Sequence, residues 1–369
     1  MDVTLTIDGK ITTVPEGTTI LEAASSAGIY IPTLCHHPDL SDVGACRMCV
    51  VSVKNSKALM TSCTTPATDG MVVNTETDEV RETRRFVLEV LLTDHPNDCM
   101  TCEADGECKL QNLAYDYGVR WTENNGRCHD YQIDQDPNPF IAIDRNKCIL
   151  CGRCVRACGE IQNRDVWLFA HRGFQTKLIA GADQFVLDAG CESCGQCVAY
   201  CPVGALSDKM SLGLGRQSQV AKTRTTCSYC GVGCNFDLNV RDGRIIRVTS
   251  AEDAPVNGLS LCVKGRYGYD YVHHPDRLVR PLVRAKLLAH KDVAGCIERG
   301  EWKVKGTSAQ EPSLRTNENG ISPDTLVEID WNTALDIVAD RLADIKNTHG
   351  GDALAVLASA KCTNEENYL

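Results

Sequence analysis

Two stretches repeat one arrangement of sulfur donors: Cys148-x2-Cys151-x2-Cys154-x3-Cys158 and Cys191-x2-Cys194-x2-Cys197-x3-Cys201, the second closed by Pro202. A run of this form holds two [4Fe–4S] cubanes. Its tight C-x2-C loops set three thiolates on three corners of one cube, and the fourth Cys, one helical turn on, reaches the other cube. The crossed sharing predicted is Cys148, Cys151, Cys154 and Cys201 on one cluster, and Cys191, Cys194, Cys197 and Cys158 on the other. Two zinc ions would also need eight ligands, but a crossed run ending in Cys-Pro is an iron–sulfur pattern.

Three further donor sets flank this pair. Cys35-x10-Cys46-x2-Cys49-x13-Cys63 suits a [2Fe–2S] rhomb, in which each iron takes two thiolates; the spacing differs from the plant type, so by itself it leaves the assignment open. His95-x3-Cys99-x2-Cys102-x5-Cys108 brings one imidazole and three thiolates, a set that suits a zinc tetrahedron as well as a cubane. On a cubane, the neutral imidazole would alter the potential, as Rieske histidines do. In Cys227-x2-Cys230-x3-Cys234-x27-Cys262, Gly231 and Gly233 let the backbone wrap a cube. Three of the 22 Cys fall outside these sets and read as thiols without a ligand role: Cys128, Cys296 and Cys362. Centres that change charge by one unit with little rearrangement, strung along one chain, form a path for single electrons.

The elements that must position these donors are short. Residues 3–7 and 11–14 alternate around Asp8-Gly9 as a hairpin, and Thr19 to Glu22 form a capping box for a helix with Ile20, Leu21, Ala24 and Ala27 on one face, ended by Gly28. Residues 78–92 read as a helix with Val80, Val87, Val90 and Leu91 on its apolar face and Arg81, Glu82, Arg84 and Glu89 largely off it. A short helix runs from Leu110 to Tyr117, and the polar, Pro-containing residues 119–140 form a connector. Small strands are expected at Arg172 to Phe174 and at Phe185 to Leu187, and a second hairpin at Phe236 to Val240 and Ile245 to Val248. Residues 213–219 read as a linker and 285–328 as a polar, irregular stretch. Asn332 caps a helix carrying Ala334, Leu335, Val338, Leu342 and Ile345, and Ala353 to Leu357 read as a buried strand opening an α/β unit.

At 369 residues the chain should hold several domains, and its net charge of −11 argues against a nucleic-acid partner. So many Cys could mean a disulfide scaffold. Met1 to Asp8, however, alternates like a strand and lacks the basic and apolar regions of a signal peptide. With no apolar run near the roughly 18 residues of a membrane span, the expectation is a cytoplasmic protein with reduced thiols.

The x10/x2/x13 spacing resembles the [2Fe–2S] module of the large iron–sulfur subunit of respiratory NADH dehydrogenase and of its relatives among NAD-linked hydrogenases and formate dehydrogenases; the His95 to Cys108 set resembles the same family. The fifth set, followed by Val263-Lys264-Gly265-Arg266-Tyr267-Gly268 and His274-Pro275-Asp276-Arg277-Leu278, resembles the start of molybdenum/tungsten bis-pterin oxidoreductases, in particular the catalytic (alpha) subunit of cytosolic NAD-linked formate dehydrogenases. The Cys362-Thr-Asn-Glu-Glu-Asn-Tyr368 string is like theirs too.

The resemblance covers essentially the whole chain. It implies an α+β multi-domain iron–sulfur protein: a β-grasp [2Fe–2S] ferredoxin-type domain over 1–78, a His/Cys3 [4Fe–4S] domain over 79–119, a two-cluster bacterial ferredoxin-like domain over 138–212, a [4Fe–4S] segment of the bis-pterin enzymes over 220–276, and the incomplete start of an α/β molybdopterin oxidoreductase domain over 277–369. The implied cofactors are one [2Fe–2S] and four [4Fe–4S] clusters, a molybdenum or tungsten bis-molybdopterin guanine dinucleotide in the full-length protein, and FMN and NAD on a partner. The implied partners are a diaphorase-like flavin/NAD iron–sulfur protein and a small [2Fe–2S] protein. The implied reaction is reversible oxidation of formate to CO2. Lys264 would lie between cube and pterin as an electron relay. The family's metal-ligating Cys or selenocysteine, with its His and Arg, is expected beyond Leu369, so no catalytic residue is assigned within the chain. The alternative is a non-catalytic electron-transfer subunit of an NADH dehydrogenase-like or hydrogenase complex.

Overall fold

The structure is a computed structural model that describes residues 1–119, 128–288, 293–304, 324–359, 362 and 364–368. It divides into two units, Met1–Asp270 and Tyr271–Leu369.

The first unit opens with β1 (Asp2–Ile7) and β2 (Lys10–Pro15), paired antiparallel from Ile7↔Lys10 outward. Asp8 and Gly9 both take positive φ, the geometry of a two-residue turn that matches strand twist. Helix α1 (Ile20–Ser26) starts at Thr19, whose hydroxyl accepts from Glu22 N–H while the Glu22 carboxylate accepts from Thr19 N–H at 2.8 Å. With β3 (Val50–Val53), β4 (Met60–Thr61) and β5 (Val72–Asn74) the strands make a five-stranded sheet of order β2-β1-β5-β3-β4, in which β1 and β5 run parallel. Leu5, Ile7, Ile20, Val51 and Val73 fill the core between sheet and helix, and Cys49 and Cys63 sit in it.

Helix α2 (Asp78–Asp94) buries Val80, Arg84 and Leu88, an i, i+4, i+8 stripe. This corrects the expected face: Arg84 is 0% exposed and Val90 is 50% exposed. Arg84 is held inside by donating to Glu76 Oε1 (2.8 Å), Tyr117 Oη (2.9 Å) and the Val50 carbonyl (2.8 Å), so its buried charge has a carboxylate partner. Helix α3 (Lys109–Asp116) follows.

The next elements are β6 (Ile141–Ile143), α4 (Arg153–Arg156), which continues as a π turn over Ala157–Ile161, β7 (Trp167–Ala170), β8 (Lys177–Ala180), α5 (Gln196–Tyr200) and β9 (Leu206–Asp208). The small strands therefore lie outside the expected stretches. Arg172 to Phe174 belongs to the connection of the β7–β8 hairpin, and Phe185 to Leu187 is turn and loop anchored by buried Val186. A three-stranded sheet of β10 (Ala221–Thr226), β11 (Asn235–Arg241) and β12 (Arg244–Ser250) contains the expected second hairpin and one strand the pattern missed. Helix α6 (Val263–Tyr267) follows.

One core binds several modules of this unit together. Leu34, Met48, Leu88, Cys108, Leu110, Val203 and Ala205 form a single buried cluster, with Cys46, Cys148 and Cys201 packed against it.

In the second unit, β13 (Leu282–Arg284), α7 (Val293–Glu298), β14 (Lys303–Val304) and β15 (Leu326–Glu328) surround a core of Leu288, Trp302, Val327 and Ile329, so part of the stretch read as irregular is ordered. Residues 305–323 of that stretch lie outside the described residues. Helix α8 (Trp331–His349) is capped by Asp330, which accepts from Thr333 N–H at 2.9 Å, rather than by Asn332. Ala353 to Leu357 is not a strand: no described residue pairs with it, and Val356 and Leu357 are 92% and 99% exposed. An apolar run becomes a buried strand only with ladder partners to satisfy its backbone. No described helix is long and apolar enough to cross a membrane.

Candidate iron–sulfur sites

The two halves of the central Cys run fold alike. Leu150 and Ser193, each preceding the second Cys of its half, take φ of 52° and 55°, and Gly152 and Gly195 follow at 70° and 73°. Left-handed backbone at a non-glycine residue is costly, and its repetition at equivalent places marks a required geometry. The result is a loop whose N–H groups turn toward the sulfurs. Ser193 N–H donates to Cys191 Sγ at 3.3 Å, and the backbone of Leu150, Arg153 and Gln196 lowers the pKa of Cys148, Cys151 and Cys194 against the larger rise from burial.

Each loop closes a cavity with the far cysteine of the other half. Cys148, Cys151, Cys154 and Cys201 line one cavity, with Gly152, Phe169, Leu178 and Val203. Cys158, Cys191, Cys194 and Cys197 line another, with Trp167, Val166 and Gln196. Burial pushes Cys148, Cys151 and Cys201 up to about 11 and raises Cys154 and Cys197 strongly too, so an ionised sulfur here calls for a cation.

The Cys35 to Cys63 set forms two pairs. The backbone N–H groups of Cys35 and Cys46 each donate to the other's sulfur at 3.4 Å, and the Cys49 and Cys63 sulfurs lie 3.4 Å apart. Within each pair the sulfur contact pulls one member, Cys46 or Cys49, down to about 6 and pushes Cys35 or Cys63 up. Two facing pairs are the donor set of a rhomb with two irons.

At the next set, Cys108 opens α3 and its sulfur accepts from Gln111 N–H at 3.5 Å. Burial raises Cys108, with Cys102 and Cys99 adding to the rise. The His95 Nδ1 lies 2.9 Å from the Pro96 carbonyl, which can only accept, so Nδ1 carries the proton. Nε2 is then a bare lone pair, buried and without a hydrogen-bond partner among the described residues. Burial lowers the imidazole pKa and keeps it neutral, the form that ligates metal. A Cβ at Gly204 would stand 2.6 Å from Cys102 Sγ, so glycine is what lets this site approach the Cys201 loop.

In the last set, burial and then the neighbouring Cys227, Cys230 and Cys262 raise Cys234, placing the four within electrostatic reach. Cys227 is buried, whereas Cys230, Cys262 and Lys264 are exposed. The remaining thiols stand apart from these sets: Cys128 Sγ donates to the Thr93 carbonyl at 3.1 Å, Cys296 packs on the core of the second unit, and Cys362 is half-buried.

The sulfurs of the two central sets ring cavities, an arrangement that fits a multi-iron core.

Three buried arginines were not legible as part of these sites. Arg153 donates to the His36 carbonyl; Arg156 donates to the carbonyls of Cys35 (2.7 Å), Cys151 (3.2 Å), Gly152 (3.3 Å) and Ser41; Arg266 Nε donates to the Cys194 carbonyl (3.0 Å). The available signal was a pair of basic residues inside the Cys run, at Arg153 and Arg156, that no helix face explains.

Comparisons with known proteins agree with this layout. Residues 1–78 match the 2Fe-2S iron-sulfur cluster binding domain, 84–122 the NADH-ubiquinone oxidoreductase-G iron-sulfur binding region, 138–207 the ferredoxin-like domain of NADH-quinone oxidoreductase subunit 3, and 220–274 the molybdopterin oxidoreductase Fe4S4 domain. The chain is 38% identical over its whole length to the alpha subunit of the NADPH-Fe(3+) oxidoreductase of Geobacter sulfurreducens, covering 38% of that protein. It is 38% identical over 76% of its length to an NADH-quinone oxidoreductase G-type subunit of Rhizobium meliloti, covering 33% of it. A putative formate dehydrogenase of Staphylococcus aureus is 28% identical over 99% of the chain, with 37% of that protein covered. The chain thus spans little more than a third of the length of these curated relatives. A chain in the crystal structure of an NAD+-reducing [NiFe]-hydrogenase in the H2-reduced state is 34% identical and superposes with a TM-score of 0.54, over 58% of this chain and 90% of that one.

Proposed function

Because the chain belongs to the iron–sulfur oxidoreductase family that includes the G-type subunits of NADH-quinone oxidoreductases and formate dehydrogenase-like proteins, we propose that it is the electron-transfer part of a formate dehydrogenase alpha subunit. The observation that carries the electron path is the pair of four-cysteine cavities built from crossed halves of one run. Bound there, and at the other three sets, iron–sulfur clusters would supply one-electron storage in small, rigid steps. The ligands would be Cys35, Cys46, Cys49 and Cys63; His95, Cys99, Cys102 and Cys108; the eight central cysteines; and Cys227, Cys230, Cys234 and Cys262. The chain's own residues do the rest. N–H groups of the left-handed loops offset charge on sulfur, apolar walls exclude water, and the His95 tautomer presents Nε2.

Formate oxidation would take place at a molybdenum or tungsten bis-pterin carried by further protein, with Lys264 between cube and pterin. The electrons would pass to a flavin protein and NAD+. The matched Fe4S4 segment of molybdopterin oxidoreductases and the formate dehydrogenase-named relatives support this reading.

The higher identity to the alpha subunit of an NADPH-Fe(3+) oxidoreductase favours a second reading, in which the same path serves NAD(P)H chemistry without formate. Metal analysis and electron-donor assays on the anaerobically purified complex separate the two. Molybdenum or tungsten near one per chain with formate-dependent viologen reduction supports the first. NAD(P)H-dependent reduction of ferric chelates without formate activity supports the second. Protein free of iron and acid-labile sulfide overturns both.

A further inference from the structure

We propose that Arg266 holds up the reduction potential of the cluster carried by Cys158, Cys191, Cys194 and Cys197. This rests on the ligand reading above.

The two halves of the Cys run present an internal comparison. After its second Cys the first half reads Gly152-Arg153-Cys154-Val155-Arg156, and the second reads Gly195-Gln196-Cys197-Val198-Ala199. In the first half Arg156 Nη2 donates to the carbonyl of the second Cys, Cys151, at 3.2 Å. The second half has Ala199 at the matching place, yet its second Cys, Cys194, still receives a guanidinium: Arg266 Nε donates to its carbonyl at 3.0 Å across 72 residues of chain. The same environment is supplied in cis on one side and from a different module on the other.

Arg156 also reaches a neighbouring set, its Nη2 donating to the Cys35 carbonyl. Arg266 lies in helix α6, directly after Cys262, so its guanidinium ties the Cys194 loop to the helix that follows the last set.

No carboxylate hydrogen-bonds its guanidinium; the buried Asp208 carboxylate lies within electrostatic reach. Arg266 is 4% exposed, and its remaining bonds go to Gln196 Oε1 (3.2 Å), Ser250 Oγ (2.9 Å) and the Leu259 carbonyl (3.2 Å), none of them a carboxylate. A guanidinium is a fixed cation, and burial without a contacting carboxylate is unfavourable for it. A cysteine-ligated cluster beside it supplies negative charge, and supplies one unit more when reduced. The fixed cation therefore stabilises the reduced state, which raises the potential. The packing holds it in place: a Cβ at Gly195 would collide with Arg266 and with Tyr267, whose ring stacks on Phe140 at 4.7 Å.

The test is a redox titration of the intact protein followed by paramagnetic resonance, tracking the signal that Cys194→Ser alters. Arg266→Gln should lower the potential of that cluster at unchanged iron content, and Arg266→Lys should restore it. Gln196→Glu, which sets a carboxylate against the untouched arginine, should lower it as well. A fully loaded Arg266→Gln protein with every potential unchanged overturns the proposal, as does an equal shift in Arg266→Lys. If Arg266→Gln fails to assemble the cluster, Gln196→Glu decides: a lowered potential supports the role of charge, and an unchanged one overturns it. Parent protein without that signal overturns the ligand reading and the proposal with it.

Discussion

Arg156 Nη2 lies 2.7 Å from the carbonyl oxygen of Cys35, a residue 121 positions away in the chain. The same nitrogen reaches Cys151, so one buried side chain ties the Cys35 loop to the first half of the central run. Removing it strips hydrogen bonds from the carbonyls of Cys35, Ser41, Cys151 and Gly152. At about 1–3 kcal/mol for each buried acceptor left unsatisfied, Arg156→Ala should cost roughly 3 kcal/mol or more of stability. Arg156→Lys, with a single ammonium in place of the fork, should fall between. Denaturant unfolding with simultaneous iron analysis checks this; parent-like stability in Arg156→Ala would remove the arginine from the structural account.

The imidazole of His95 offers Nε2 without adding thiolate charge. His95→Cys should therefore keep the iron content and lower the potential of one cluster, because an added negative charge disfavours reduction. His95→Ala should lose or degrade that cluster. Redox titration of the two variants is the measurement, and a raised potential in His95→Cys would contradict the ligand role.

Cys128, Cys296 and Cys362 stand outside the five sets, so serine at each should leave iron and sulfide per chain unchanged. Stability should move by no more than about 1 kcal/mol, since Cys128 is exposed and serine can still donate to the Thr93 carbonyl. Loss of iron from any one of them would redraw the ligand sets.

Asp208 gives a pH dependence with a definite sign. Burial raises its carboxyl to about 6, while Arg247 and Arg266 act in the opposite direction and Tyr267 and Tyr269 lie within electrostatic reach. A carboxyl raised in the folded state stabilises the fold below its unfolded value near 3.8, and that contribution is lost as pH rises through about 6. Asp208→Asn keeps an acceptor for Met210 N–H, which Asp208 Oδ1 now binds at 2.9 Å, and removes the titration. Between pH 4 and pH 7 the stability difference should shift toward the variant by roughly 2 kcal/mol. Parallel unfolding curves across that range show it, and a shift toward the parent would reverse the argument.

The donor sets were legible because their logic is local. A C-x2-C loop is short enough that covalent spacing alone decides which sulfurs face one cube, and turn residues such as Asp8-Gly9 and the Thr19–Glu22 box act within four positions. Periodicity failed where a long-range contact overrode it. Arg84 reads as a solvent-facing residue of α2, but Glu76, Tyr117 and the Val50 carbonyl hold it inside. Ala353 to Leu357 reads as a core strand, but a strand exists only with a ladder partner, and none pairs with it among the described residues.

The sequence by itself therefore determined how the sulfur and imidazole donors are spaced into sets. Only the tertiary structure decided how the groups meet. Arg156 with Cys35, Arg266 with Cys194 and Gly204 with Cys102 are contacts across scores of residues. Buried donors and acceptors must all find partners, and which loop supplies the partner depends on packing that spacing does not encode.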